Sequence, residues 1–93
     1  MKGVCYLCGK WTDREKHHVF GGAYRDKSEK YGLTVYLCHA CHNEPPHGVH
    51  HNREVADYMH RMGQRKAMQE RGWSEKDFVR EFGKNYLGED DDD

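Results

Sequence analysis

Four cysteines and eight histidines carry most of the chemistry open to this 93-residue chain. The cysteines fall as two Cys-x-x-Cys pairs, Cys5 with Cys8 and Cys38 with Cys41. Each pair can wrap one edge of a tetrahedral zinc ion once folding brings the two together. Between the pairs stands the doublet His17-His18, and His42, His47, His50 and His51 follow the second pair. Closing the sulfur cross-link carries the doublet towards His42 and His50, so a second metal site built against the first is expected. The plain alternatives are free buried thiols and solvated loop histidines. The double knuckle weighs against the first, and the thiols flanking the doublet weigh against the second. His42 has a further plain role as donor of a hydrogen bond to a zinc-bound sulfur. His39 and His60 fall at no motif spacing and are read as ordinary surface residues.

The elements that must hold these groups are short at first and helical later. Cys5 to Gly9 reads as a knuckle, with Gly9 permitting the tight turn after the second thiol. His17-His18-Val19-Phe20 suits a brief strand stopped by Gly21-Gly22, and Ser28 to Tyr31 suits one helical turn capped by Ser28. Leu33 to Leu37, β-branched and aromatic, is the best strand in the chain and delivers it into Cys38. Pro45-Pro46 forbids regular structure, so a loop carries His47. From Asn52 the apolar period becomes helical through Val55, Tyr58, Met59 and Met62, with a stop at Arg71-Gly72. A second helix starts at Ser74, with Asp77 in capping-box position and Phe78, Phe82 and Tyr86 spaced to pack on the first.

Composition limits the class. A chain of this length with 35% hydrophobic residues forms one domain whose apolar core alone leaves folding marginal, so a metal cross-link is expected. Residues 1–52 hold the knuckles and strands, 53–88 the helical part, and 89–93 an acidic tail expected to be disordered. Formal net charge is -1, but Glu89 to Asp93 hold five of the sixteen acids. The remainder sets eleven acids against fifteen Lys and Arg, a balance of +4 that suits a polyanionic partner. No apolar run is long enough to span a membrane, and Met-Lys-Gly-Val-Cys lacks the apolar stretch of a secretory signal. A cytoplasmic location is expected, where paired cysteines serve as metal thiolates rather than disulfides.

Taken in order, Cys-x-x-Cys, His-His followed by Gly-Gly, a strand ending in Leu-Cys, and Cys-x-x-Cys-His resemble the zinc-containing branch of the HNH endonucleases. The similarity covers roughly Cys5 to Asn52. It implies a small α+β fold with a ββα-metal (HNH, or His-Me finger) core, a four-cysteine zinc knuckle and C-terminal helices. More narrowly, His17 to Gly22, Lys30-Tyr31-Gly32-Leu33 and Phe82 to Leu87 resemble small phage and prophage recombination-enhancement, RecA-dependent nucleases.

The resemblance implies a residue for each role. Cys5, Cys8, Cys38 and Cys41 hold structural Zn2+; His17, His42 and His50 hold a catalytic divalent metal; His18 is the general base that activates water for phosphodiester hydrolysis. The metal stabilises the transition state and the leaving oxygen, and cleavage leaves a 5′ phosphate. Three imidazoles suit Zn2+, Mn2+ or Ni2+ well and Mg2+ less comfortably. DNA is the expected partner, with RecA or phage recombination and packaging proteins beside it, and a bacterial host cytoplasm is the expected setting. The chain departs from the family pattern twice. The asparagine that braces the base has no equivalent near Gly32 and Leu33, so something else must orient His18. The insertion Asn43 to Val49 also leaves His47 and His51 as alternatives to His50. The competing class of function is a noncatalytic zinc module that binds nucleic acid or protein.

Overall fold

The computed structural model describes residues 1–87, and the expected acidic tail, 89–93, lies outside them. Its first turn is set by the first thiol pair. Strand β1 (Lys2–Val4) pairs antiparallel with β2 (Trp11–Asp13), with Val4 opposite Trp11, and the Cys5–Cys8 knuckle is the loop between them. The Gly9 N–H donates to the Cys5 carbonyl at 3.0 Å and the Cys5 N–H to the Lys10 carbonyl at 2.9 Å, which closes the loop. Three-residue strands are too short to carry a periodic signal. This hairpin was accordingly invisible in the apolar pattern.

A second antiparallel hairpin joins β3 (Glu15–His18) to β4 (Thr34–Leu37), with His17 opposite Val35 and His18 opposite Thr34. The expected strand over His17 to Phe20 is shifted towards the N-terminus, because Val19 and Phe20 leave the ladder to enter the core. One bond continues past its end, from the Val19 N–H to the Leu33 carbonyl. Between these strands come a 3-10 turn, Gly22–Tyr24, and helix α1 (Arg25–Lys30). The expected turn capped by Ser28 is thus corrected. Ser28 lies inside α1, wholly buried, and its hydroxyl serves the end of the strand instead. It donates to the Phe20 carbonyl at 2.7 Å and accepts from the Phe20 N–H at 3.0 Å.

After β4 the second knuckle continues into helix α2 (His39–Asn43), whose N-cap Cys38 accepts the Cys41 N–H. Helix α3 (Arg53–Arg71) begins at the expected cap, where Asn52 accepts the Val55 N–H, and ends at Gly72 in the left-handed region. Helix α4 (Glu75–Phe82) has the expected capping box between Ser74 and Asp77. Tyr86 lies beyond its end rather than on it. Wholly buried Gln64 on α3 instead holds that segment, donating to Asn85 Oδ1 at 2.8 Å and accepting from the Tyr86 N–H at 2.7 Å.

The core lies where Phe20 meets the α4 rings Phe78 and Phe82, at centroid distances of 5.4 and 4.8 Å, with Leu33, Leu37 and Met59 beneath. Helix α3 passes this close only because position 63 is glycine. A Cβ there would stand 2.7 Å from a Val19 methyl and 3.0 Å from the Phe20 ring. The result is a small α+β architecture of two separate two-stranded antiparallel sheets and helices. Among the described residues no helix is long and apolar enough to cross a membrane.

Replacing Ser28 with Ala strips both backbone groups of Phe20 of their buried partner. The expected loss is about 1–3 kcal/mol of stability, read from the midpoint of denaturant unfolding; an unchanged midpoint refutes that role.

Candidate metal centres

The two knuckles meet because β4 connects to both. The Tyr6 N–H in the first knuckle donates to the Tyr36 carbonyl on the free edge of β4 at 3.0 Å, and β4 itself runs into Cys38. All four sulfurs lie within 4.8 Å of one another, and none is in a disulfide. A tetrahedral ion with bonds of about 2.3 Å holds its thiolates about 3.8 Å apart, and Cys8 Sγ stands 3.8 Å from Cys38 Sγ. In both knuckles the second cysteine's N–H points at the first sulfur, Cys8 to Cys5 at 3.5 Å and Cys41 to Cys38 at 3.4 Å.

The thiol acidities fit the same donor set. Burial opposes ionisation of Cys5, yet the N–H groups of Cys8, Cys38 and Leu7 outweigh it and bring the thiol down to about 6. Burial, followed by the neighbouring thiols, pushes Cys41 the other way. These opposite displacements of Cys5 and Cys41 are what thiols gathered for a cation show. Zinc fits the donor set and the spacing.

The imidazoles gather on the next layer. His17 on β3 is buried, and its ring centroid lies 5.2 Å from those of His42 on α2 and His50 before α3. One ring nitrogen from each comes within 4.8 Å of the others. His50 arrives because the loop after Asn43 folds back along α2. Gly48 donates to the Glu44 carbonyl at 2.6 Å, Val49 to Cys41 at 2.7 Å and His50 to His42 at 3.3 Å. Position 48 must be glycine for this return, since a Cβ would stand 2.6 Å from the Glu44 nitrogen. His47 and His51 are exposed and stay outside the cluster.

Hydrogen bonds fix which nitrogens are available. Glu15 Oε1 lies 2.7 Å from His42 Nδ1, and the bonds from His42 and then His39 hold its carboxyl below the usual range. A carboxylate only accepts, so His42 Nδ1 carries the hydrogen and Nε2 keeps a lone pair. That Nε2 stands 3.1 Å from His50 Nε2. Two nitrogens so close need a shared cation or a proton. Burial, reinforced by His42 and His51, disfavours the proton on His50. Burial and then His42 and His50 also lower His17 to about 4, leaving it neutral at physiological pH. The three residues therefore fit a divalent cation.

His18 is the last residue of β3, where alternation turns it away from His17. At the strand end both nevertheless border one cavity of about 380 Å³, together with His50 and His60. His18 is outside the three-nitrogen cluster. Its Nε2 lies 2.8 Å from Glu29 Oε1 on α1, while Lys16 Nζ binds Glu29 Oε2 at 2.6 Å. Lys16 first, then His18, holds the Glu29 carboxyl below the usual range. Nε2 must donate to this carboxylate, and Nδ1 is left as the basic nitrogen.

One surface assignment changes. His60, on α3, is half-buried and stacks on Phe20 at 5.3 Å with an interplanar angle of 15°, and on Tyr86 at 4.7 Å. Burial lowers its pKa, against a smaller opposing pull from Asp57. His39 is exposed, but its Nδ1 takes the second oxygen of Glu15 at 2.9 Å. His42 meets Glu15 and His50, rather than a cysteine sulfur, and Asn43 Nδ2 donates to the same Glu15 oxygen. Sequence reasoning missed Glu15, Glu29 and His60. Only Glu15 left a signal, standing two residues before His17 and so on the same strand face.

Protein-family models, curated proteins and solved structures contain no match to this chain.

Replacing Cys38 with Ser is expected to abolish zinc binding at the sulfur cluster and to unfold the chain, measured by native mass spectrometry and far-ultraviolet circular dichroism. Replacing His50 with Ala should leave the thiolate-bound zinc and the fold in place while abolishing a second bound ion. Full zinc content and stability in Cys38→Ser rule out the cross-link.

Proposed function

We propose that this chain is a metal-dependent HNH endonuclease that hydrolyses DNA phosphodiester bonds on a ββα-metal core braced by a structural zinc. In this reading β3, β4 and the helical segment that follows form the core unit. The observation that carries it is the division of labour among four imidazoles, of which His17, His18 and His50 border one cavity. His17, His42 and His50 bring ring nitrogens together, and His18 is held through Nε2 by a carboxylate, leaving Nδ1 as its acceptor.

A divalent cation held by His17, His42 and His50 would neutralise charge on the phosphorane and on the departing oxygen. Zn2+, Mn2+ or Ni2+ suits three nitrogens better than Mg2+ does. His18 takes a proton from the attacking water at Nδ1. Glu29 fixes its tautomer through Nε2 and stabilises the imidazolium that forms, which is the bracing role the missing asparagine leaves open. Glu15 does the equivalent for His42. The fifteen Lys and Arg supply phosphate contacts, so DNA binding is salt-sensitive and weak in sequence preference.

Supercoiled plasmid incubated with the protein and Mn2+, Mg2+, Zn2+ or Ni2+ tests the proposal. Wild type should cut only with an added ion. His18→Ala should be slower by about 10²–10⁴-fold, and Glu29→Gln should fall between them. Cutting without an ion, or equal cutting by His18→Ala, defeats the nuclease reading and favours a noncatalytic zinc module.

A further inference from the structure

The attacking water has two hydrogens, and His18 accounts for one. The cavity's remaining side chains decide what holds the other. Among the described residues that line it, the polar side chains are His17, His18, His50 and His60 alone, beside glycines and apolar groups. His17 and His50 direct their lone pairs to the cation site, and His18 is the base. That leaves one imidazole without a role.

His60 is built in rather than loosely placed. Its ring stacks on Phe20 with an interplanar angle of 15° and meets Tyr86 at 39°, the three rings forming one aromatic cluster. Tyr86 is held in turn by Gln64, one turn further along the same helix. An imidazole held against two aromatic rings, with burial favouring its neutral form, keeps one nitrogen as an acceptor.

We propose that His60 positions the attacking water, accepting a hydrogen bond from the proton that His18 does not take. The inference rests on the endonuclease reading and extends it to a residue with no motif spacing. Bond accounting is simple. One water O–H bond breaks as its proton moves to His18 Nδ1, and the oxygen's electron pair forms the new bond to phosphorus. The second O–H stays intact on the acceptor of His60, and the lost P–O pair departs with the leaving oxygen. His60 itself is neither protonated nor alkylated. It restricts the direction of the nucleophile's lone pair, a contribution made by orientation.

Three variants separate positioning from packing. His60→Phe keeps an aromatic ring against Phe20 and Tyr86 and removes the acceptor. His60→Gln keeps an acceptor and loses the ring. His60→Leu keeps neither. Single-turnover plasmid nicking is measured with the zinc-loaded full chain and saturating Mn2+, beside DNA affinity and thermal midpoint. His60→Phe should cut about 10–100-fold more slowly, the loss expected for one transition-state hydrogen bond, with DNA affinity and midpoint near wild type. His60→Gln should recover to within several-fold of wild type despite a lower midpoint, and His60→Leu should show both defects. The inference is overturned if His60→Phe nicks at the wild-type rate, if His60→Gln is as slow as His60→Leu, or if the rate follows the thermal midpoint across the series. A wild type that does not nick removes the endonuclease reading as well, whereas active wild type with unimpaired His60→Phe removes only the role of His60.

Discussion

The architecture rests on the approach of two short loops, which reach the apolar core through Cys5, Leu7, Cys38 and Cys41. Four sulfurs within 4.8 Å are unfavourable neighbours once more than one is ionised, and a divalent cation turns that repulsion into the strongest cross-link available to a chain this small. A cation there would reinforce the bond from the Tyr6 N–H to β4 and the Cys38 cap of α2, the short helix that carries Cys41 and His42. The β1–β2 hairpin would gain most, since an isolated two-stranded hairpin is only marginally stable, whereas β4 already has Leu37 in the core.

On that frame, two carboxylates convert a collection of histidines into an ordered set. Glu15 binds His39 with one oxygen and His42 with the other, so a single side chain joins the exposed and inward faces of α2. Glu29 does the same between Lys16 and His18. Neither carboxylate touches the cavity, yet each determines which ring nitrogen keeps its lone pair. His18 and His42 are identical in chemistry, and which ring nitrogen each keeps as an acceptor comes from these outer contacts.

The long elements were legible in the sequence because their signals are local. Asn52, Gly72, Ser74 and Asp77 mark helix ends through their own backbone bonds; α3 begins and ends, and α4 begins, accordingly. The cysteine spacing was equally readable, since a knuckle is a contact between residues three apart. The rest depended on contacts between distant residues. Ser28 looked like a cap because its type favours caps, but its partner is Phe20, eight residues away. Tyr86 looked helical by spacing, but Gln64 holds it from another helix. Glu29 and His60 stand in ordinary charged stretches, and only the packing of α1 and α3 brings them to the doublet.

The return loop from Glu44 to His51 links the two clusters. Five of its backbone bonds lie within its own length or run to α2, and His50 is exposed near its end. The Val49 N–H bonds the Cys41 carbonyl, and the Val49 side chain is buried in the core. A displacement of this loop therefore reaches a thiol-bearing residue through the backbone, and the two clusters share one mechanical support.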